Sequence, residues 1–231
     1  MDGQHRASRT GALQGGGGMK SKLDLHKGNL IQAARNSYRY YKCKSGGYYS
    51  QFGEDRWIKE NLNPAIGNFC EVGAFDGMTA SNTLYFEEHG WNGILVEPDP
   101  YFASECQKHR KAATWCCAAG LKNYTIFNKI DNEPQTSGLL RKGKKAPCVV
   151  VPLVDLLQAS GISHLNLLSI DTEGTELEVW STRGHFHPTI VIMECATSGL
   201  PSTEEQTVRQ MRIDGYEEVY KTETNIIFVS N

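Results

Sequence analysis

Short apolar runs recur along residues 68–231, alternating with stretches of helical spacing. Asn68–Phe75, Gly93–Glu97, Thr114–Ala118, Leu165–Asp171 and Thr189–Glu194 read as strands, and the fourth is nearly unbroken in apolar character, as a central parallel strand requires. Helices are predicted over Arg56–Leu62, Ser81–Glu88, Tyr101 to about Lys111, and Leu153–Gln158. Tyr124–Lys129 and Cys148–Val151 read as two extra short strands flanking a polar loop. A helix over Thr203–Asp214 then leads into a terminal hairpin, Tyr216–Tyr220 and Asn225–Val229. Strands alternating with helices predict an α/β fold: a doubly wound, mostly parallel sheet with an antiparallel closing strand.

Before this pattern begins, the chain is different. Residues 1–21 are polar and of low complexity, and read as disordered or as a leader before a natural start at Met19. Residues 22–45 fit a basic N-terminal helical arm with Leu30, Ile31, Ala34, Tyr38 and Tyr41 on one side. Residues 46–231 remain as a single domain.

Charge sharpens that division. Residues 1–50 carry nine Lys/Arg against two Asp/Glu, whereas residues 51–231 carry fifteen against twenty-four. The body is therefore an acidic globule with a basic arm, which argues against a uniformly basic nucleic-acid binder. No apolar run reaches the roughly 18 residues that a membrane helix needs, so no membrane partner is expected. Seven cysteines, an odd count without a CxxC pair, argue against a disulfide framework. Cys70, Cys116, Cys117 and Cys195 lie in strand-like runs as small core hydrophobes, and a reducing, cytoplasmic compartment is expected.

The chemistry starts at Glu71-Val-Gly-Ala-Phe-Asp-Gly77, where a buried strand runs into a glycine turn that opens a helix. Ligands in such sheets bind at the carboxyl ends of strands, and the glycines allow close backbone approach. The carboxylates choose the ligand. Asp76 inside the turn would repel the diphosphate of a dinucleotide, which belongs on a helix N-terminus, whereas S-adenosyl-L-methionine carries an ammonium and a sulfonium that Glu71 and Asp76 would attract. Glu97, ending the second strand before Pro98-Asp99-Pro100, is placed to bond both hydroxyls of a ribose. An adenosylmethionine site is the first reading, and an NAD-dependent oxidoreductase the second.

Four segments together resemble the FkbM-type methyltransferases of the Rossmann-like adenosylmethionine-dependent group. They are Ser50-Gln-Phe-Gly-Glu-Asp, Glu71-Val-Gly-Ala-Phe-Asp-Gly, Leu95-Val-Glu-Pro-Asp-Pro and Leu168-Ser-Ile-Asp-Thr-Glu-Gly-Thr-Glu. The resemblance implies a seven-stranded sheet, adenosylmethionine as donor, and an oxygen acceptor on a sugar or other small metabolite. By the same resemblance Gly73, Ala74, Phe75, Asp76 and Gly77 cradle the methionine part and Glu97, with Pro98, takes the ribose. Cys117 and Ala118 lie beside the adenine, and Gln51 and Glu54 reach the donor's amino-acid end. A helix N-terminus capped by Ser50 is the competing account of Ser50–Asp55.

Asp171, Glu173 and Glu176 crowd the end of the fourth strand, and Glu194 ends the fifth on the same edge. Asp171, Glu173 and Glu194 are the candidates to orient or deprotonate the acceptor; alternatively Asp171 and Glu194 hold Mg²⁺, which would acidify a hydroxyl. His164, His185 and His187 fall on the strand-start side and read as structural or surface residues. The basic loop Arg141–Lys145 is by default solvated. With Tyr38, Tyr40, Tyr41, Tyr48 and Tyr49 as stacking platforms it keeps open an RNA or nucleotide methyltransferase. A non-catalytic interaction module on the same fold is the remaining rival.

Overall fold

The computed structural model of the protein describes residues 46–121, 124–129, 137–139, 143–196 and 200–231. The expected leader, the basic arm with Tyr38, Tyr40 and Tyr41, and Arg141 and Lys142 lie outside the described residues. In chain order the elements are α1 (Glu54–Asn61), β1 (Asn68–Val72), α2 (Leu84–Glu88), β2 (Asn92–Val96), α3 (Pro100–His109), β3 (Ala113–Trp115) and β4 (Ala118–Ala119). Then follow β5 (Tyr124–Lys129), β6 (Lys144–Val151), α4 (Leu153–Ala159), β7 (Leu167–Ile170), α5 (Glu176–Ser181), β8 (Ile190–Glu194), α6 (Glu204–Ile213), β9 (Tyr216–Lys221) and β10 (Asn225–Ser230).

Seven strands form one sheet in the order β3-β2-β1-β7-β8-β10-β9. The first five are parallel, and β10 runs antiparallel to both β8 and β9. This is the expected sheet with its closing hairpin. Chain order reverses between β1 and β7, so the crevice at their carboxyl ends is the topological switch point.

Side-chain alternation divides the core in two. Cys70, Val72, Leu168, Ile170, Val191 and Met193 face α4–α6, packing with Leu153, Leu156, Trp180 and Met211. Phe69, Leu167, Ile190 and Ile192 face α1–α3, packing with Ile58, Phe86, Trp91 and Tyr49. Glu71 and Ser169 are register partners on that second face and interrupt it with polar atoms. Every residue of β7 and β8 is buried, which explains their continuous apolar runs.

Burying Glu71 dictates the local structure around it. Its carboxylate accepts from Ser81 Oγ (2.8 Å), the Asn82 backbone N–H (2.9 Å) and Thr83 Oγ1 (2.6 Å). Those three residues are thereby held out of the helix, so α2 begins at Leu84 and not at the expected Ser81. Arg110, a fully buried guanidinium, bonds Glu71 (3.3 Å), Thr83 Oγ1 (2.9 Å), the Gly77 carbonyl (2.8 Å) and Glu87. Nothing in the sequence pattern marks Arg110, which stands just beyond α3.

The third strand is shorter than expected. β3 stops at Trp115, and Ala118–Ala119 pair instead with β6, in a separate three-stranded sheet β4-β6-β5. The two extra strands are thus real and roof the carboxyl edge near β3. Lys144 and Lys145, expected in a loop, lie in β6. Tyr49 is buried in the core and Tyr48 stacks on Tyr85 with ring centroids 4.7 Å apart, so neither is a free base-stacking platform.

Arg110→Ala leaves Glu71 and Glu87 as unpaired buried charges. Urea unfolding is expected to show a loss of about 3–5 kcal/mol. A loss below about 1 kcal/mol would mean that water replaces the guanidinium there.

Candidate functional site

A cavity of about 510 Å³ opens at the switch point. Its floor is the carboxyl ends of β1, β2, β7 and β8, and Phe127 of β5 with Ser137, Gly138 and Leu139 closes the β3 side. No helix among the described residues is long and apolar enough to cross a membrane.

Gly73 sits where β1 leaves the sheet, at φ 86°. A Cβ there would lie 1.7 Å from the Asp171 carbonyl oxygen, so the glycine is needed for contact between β1 and β7 ends before any ligand is considered. Its own N–H, and that of Ala74, donate to the Val96 carbonyl at the end of β2. Phe75 follows at φ 49°, an unfavourable backbone for an aromatic residue. It is held there by two bonds: its N–H donates to Glu97 Oε2 (2.9 Å), and its carbonyl accepts from Cys106 Sγ (3.1 Å).

Glu97 therefore ties the first turn to the second. Its other oxygen accepts from the Asp99 backbone N–H (2.8 Å). Burial pushes its carboxyl group up to about 8; the two backbone bonds and Lys129 oppose that shift, and Asp99 adds to it. Asp99 is paired with Lys129 of β5 at 2.8 Å, which ties the roof to the end of β2.

Gln51, Glu71, Gly73, Ala74, Phe75, Glu97, Pro98, Cys117, Ala118, Asp171, Glu173 and Glu194 all line the cavity, so most of the sequence candidates converge on one space. Three are placed elsewhere. Asp76 is turned into its own loop, accepting from the Met78 and Thr79 N–H groups (2.9 and 2.7 Å) and from Thr79 Oγ1 (2.7 Å). Gly77, at φ 78°, packs against Cys106 and Arg110, where a Cβ would come within 2.9 Å of the arginine side chain. Glu54 is fully buried and accepts from Asn225 Nδ2 (2.6 Å) and the Phe52 N–H (3.1 Å), which fastens the start of α1 to β10. Asp76, Gly77 and Glu54, expected at the donor, are not among the residues that line the cavity. Each is consumed by local architecture.

The remaining carboxylates gather at the β7 and β8 ends. One carboxylate oxygen each from Asp171, Glu173 and Glu194 lies within 4.8 Å of the others. Asp171 keeps open surface toward the cavity, but the protein around its carboxyl group strips water from it. Together with the nearby carboxylates of Glu173 and Glu176, this pushes it up to about 7. Glu194 beside it works against that rise. Glu176 is buried and organises the loop: its Oε1 accepts from Thr172 N–H and Gly174 N–H, both at 2.9 Å. Such a cluster suits proton transfer or a hard cation such as Mg²⁺.

Asn82, Ser169, Thr79, Asp99 and Phe127 also line the cavity and were not singled out from sequence. Ser169 had a readable signal, a lone hydroxyl inside the apolar run Leu167–Ile170. The strand order and a cavity at the switch point define a Rossmann-like, doubly wound α/β fold.

Residues 71–218, more than half of the chain, match the family model described as methyltransferase FkbM domain. The protein belongs to that family. Among solved structures, the methyltransferase FkbM from Methylobacillus flagellatus KT is similar with a TM-score of 0.50 and 14% identity, over 76% of this chain and 47% of that one. The chain thus spans about half the length of this relative. A TehB-like SAM-dependent methyltransferase from Corynebacterium glutamicum is similar over 90% of this chain and 99% of its own, at 13% identity and a TM-score of 0.46. No curated protein matches the chain.

The raised Glu97 carboxyl group has a consequence for stability. Unfolded, the group titrates near 4.5; folded, near 8. Between these values the folded state holds a proton that the unfolded chain has released, so stability falls as pH rises through this window. Glu97→Gln removes that contribution, while Asp171 still contributes with the same sign. Chemical denaturation at about pH 5.5 and about pH 8.5 is expected to show a smaller fall in the variant than in the wild type.

Proposed function

We propose that residues 46–231 transfer a methyl group from S-adenosyl-L-methionine to a hydroxyl of a small molecule or sugar. One observation carries this reading: a single cavity joins the buried Glu97 carboxyl group at the end of β2 to the cluster of Asp171, Glu173 and Glu194 beyond the ends of β7 and β8.

The donor fits from one end. Glu97 keeps lone pairs beyond its two backbone bonds, and the hydroxyls of a ribose supply the missing donors. Pro98, Cys117 and Ala118 line the cavity with apolar surface suited to an adenine. A dinucleotide fits less well, because Asp76 already occupies the Met78 and Thr79 N–H groups that would hold a diphosphate.

The acceptor enters beside Asp171. The sulfonium is itself an activated donor, so the protein's main task is to hold acceptor oxygen and methyl carbon in line at about 3–3.5 Å. As the O–C bond forms and the C–S bond breaks, the hydroxyl proton passes to the carboxyl cluster. A group titrating near 7 is matched to that transfer at neutral pH.

Calorimetric titration with adenosylmethionine and adenosylhomocysteine tests the donor site. Both should bind at micromolar strength, and Glu97→Ala should weaken both by about tenfold or more. Absence of binding by folded protein would remove the proposal. With an acceptor in hand, Asp171→Asn is expected to lower kcat by about 10²–10⁴-fold, to abolish its rise with pH near 7, and to leave donor affinity unchanged. EDTA should not affect turnover. A loss that Mg²⁺ restores would assign the three carboxylates to a cation.

A further inference from the structure

The roof sheet brings one cation to the edge of the cavity. β5 is its last strand, on the far side of β6 from β4. The roof has a small core of its own, Ala118, Phe127, Cys148 and Val150 with Leu139 packed on it, separate from the two larger clusters of the main sheet. Phe127 is buried and lines the cavity. Lys129, two residues on and so on the same face of β5, reaches out of the roof to Asp99 in the turn after β2, with Nζ 2.8 Å from Oδ2. The lysine side chain is 30% exposed and the aspartate 8%, so water screens the pair only in part. Register adds a constraint. Lys129 stands directly opposite Lys144 of β6, where like charges repel, and Asp99 supplies the charge that offsets them. Asp99 is itself held twice: its Oδ1 caps α3 through the Tyr101 N–H (2.9 Å), and its own N–H donates to Glu97 Oε1 (2.8 Å).

We infer that Lys129 is a positioning residue for donor binding: its ion pair with Asp99 sets β5 against the main sheet and so fixes Phe127 in the wall that closes the nucleoside end of the cavity. This rests on the donor reading above and goes further, because it makes that site depend on a residue of the second sheet. Lys129 is not among the residues that line the cavity, so its effect reaches the donor through others. The path is short. It runs from Phe127 along two residues of strand to Lys129, across the ion pair to Asp99, and through one N–H to Glu97. The carboxyl group assigned to the ribose and the roof side chain that closes the same end are thus set by one contact. Four buried residues, among those described, make up the roof's core, so packing alone specifies the position of β5 weakly and a directional charge contact carries more of it.

A double-mutant cycle on donor affinity tests this, using the full chain with adenosylhomocysteine and 5′-methylthioadenosine as ligands. Lys129→Met should weaken adenosylhomocysteine binding by about three- to tenfold, with most of the loss in a faster dissociation rate. Lys129→Arg keeps the charge and should bind within about twofold of wild type. Phe127→Ala should weaken binding at least as much as Lys129→Met does. Adding Lys129→Met to it should cost less than about a further twofold, since the lysine then has nothing left to position. 5′-Methylthioadenosine, which lacks the amino-acid tail, should show the same losses. Raising salt from about 50 mM to about 500 mM should bring wild type toward Lys129→Met and leave that variant unchanged. The inference is overturned if Lys129→Met binds as tightly as wild type, or if Lys129→Arg fails to restore binding. It is also overturned if the two substitutions add in full, which would mean that the lysine acts on Glu97 by charge alone or on the fold at large. Losses confined to adenosylhomocysteine would place the effect at the tail and overturn it too. If Phe127→Ala fails to fold, Phe127→Leu takes its place in the cycle. Wild type that binds neither nucleoside defeats the donor reading itself, whereas wild type that binds both, with Lys129→Met unaltered, defeats this inference alone.

Discussion

A carboxylate placed inside a parallel sheet is the constraint on which this structure turns. Glu71 occupies a core position of β1, and its charge has to be answered within the protein. The answer is assembled from distant parts of the chain: three consecutive polar residues after the first turn, and a guanidinium just beyond α3. Satisfying Glu71 delays the start of α2, holds the first turn through the Gly77 carbonyl, and fixes Asn82 against Ser169. An isosteric apolar residue at this position would remove the penalty and, with it, the reason for that arrangement.

The strand ends are joined by equally specific contacts. Gly73 lets the end of β1 touch the Asp171 carbonyl of β7, and Glu97 clasps the left-handed Phe75 to the end of β2. These links bring the two halves of the cavity, nucleoside side and acidic side, into one rigid edge. Carboxyl groups at both ends, the buried Glu97 and the cavity-facing Asp171, are pushed toward neutrality by the loss of water. Each gains from a bound group: hydroxyl donors at Glu97 and a proton at Asp171.

The family model covers the stretch from β1 to β9 that builds the cavity, while the reading of the acceptor rests on the acidic end of that cavity. The roof of β5 and β6 covers the other end and is tied down by Lys129 on Asp99. It shapes what can lie against the cavity wall formed by Cys117 and Ala118.

Much of this was legible in the residues. The alternation of apolar runs located the strands and their mostly parallel sense, because strands covered on both faces read as near-continuous apolar runs, and the family resemblance supplied their number. The acidic residues at strand ends marked Glu97, Asp171 and Glu194 as site candidates, because a charge at the end of a buried run has no structural excuse until a partner is found. Where a partner exists, the sequence could not show it. Glu54, Asp76 and Glu176 carry the same kind of signal, yet each is spent on backbone N–H groups or side chains brought near by folding. Arg110 and Asn82 carried no signal at all, since an arginine after a helix and an asparagine before one are ordinary. Sequence determined which elements form and which edge of the sheet holds the chemistry. Only the tertiary structure decided which carboxylates remain available to a ligand, because that depends on where distant hydrogen-bond donors come to rest.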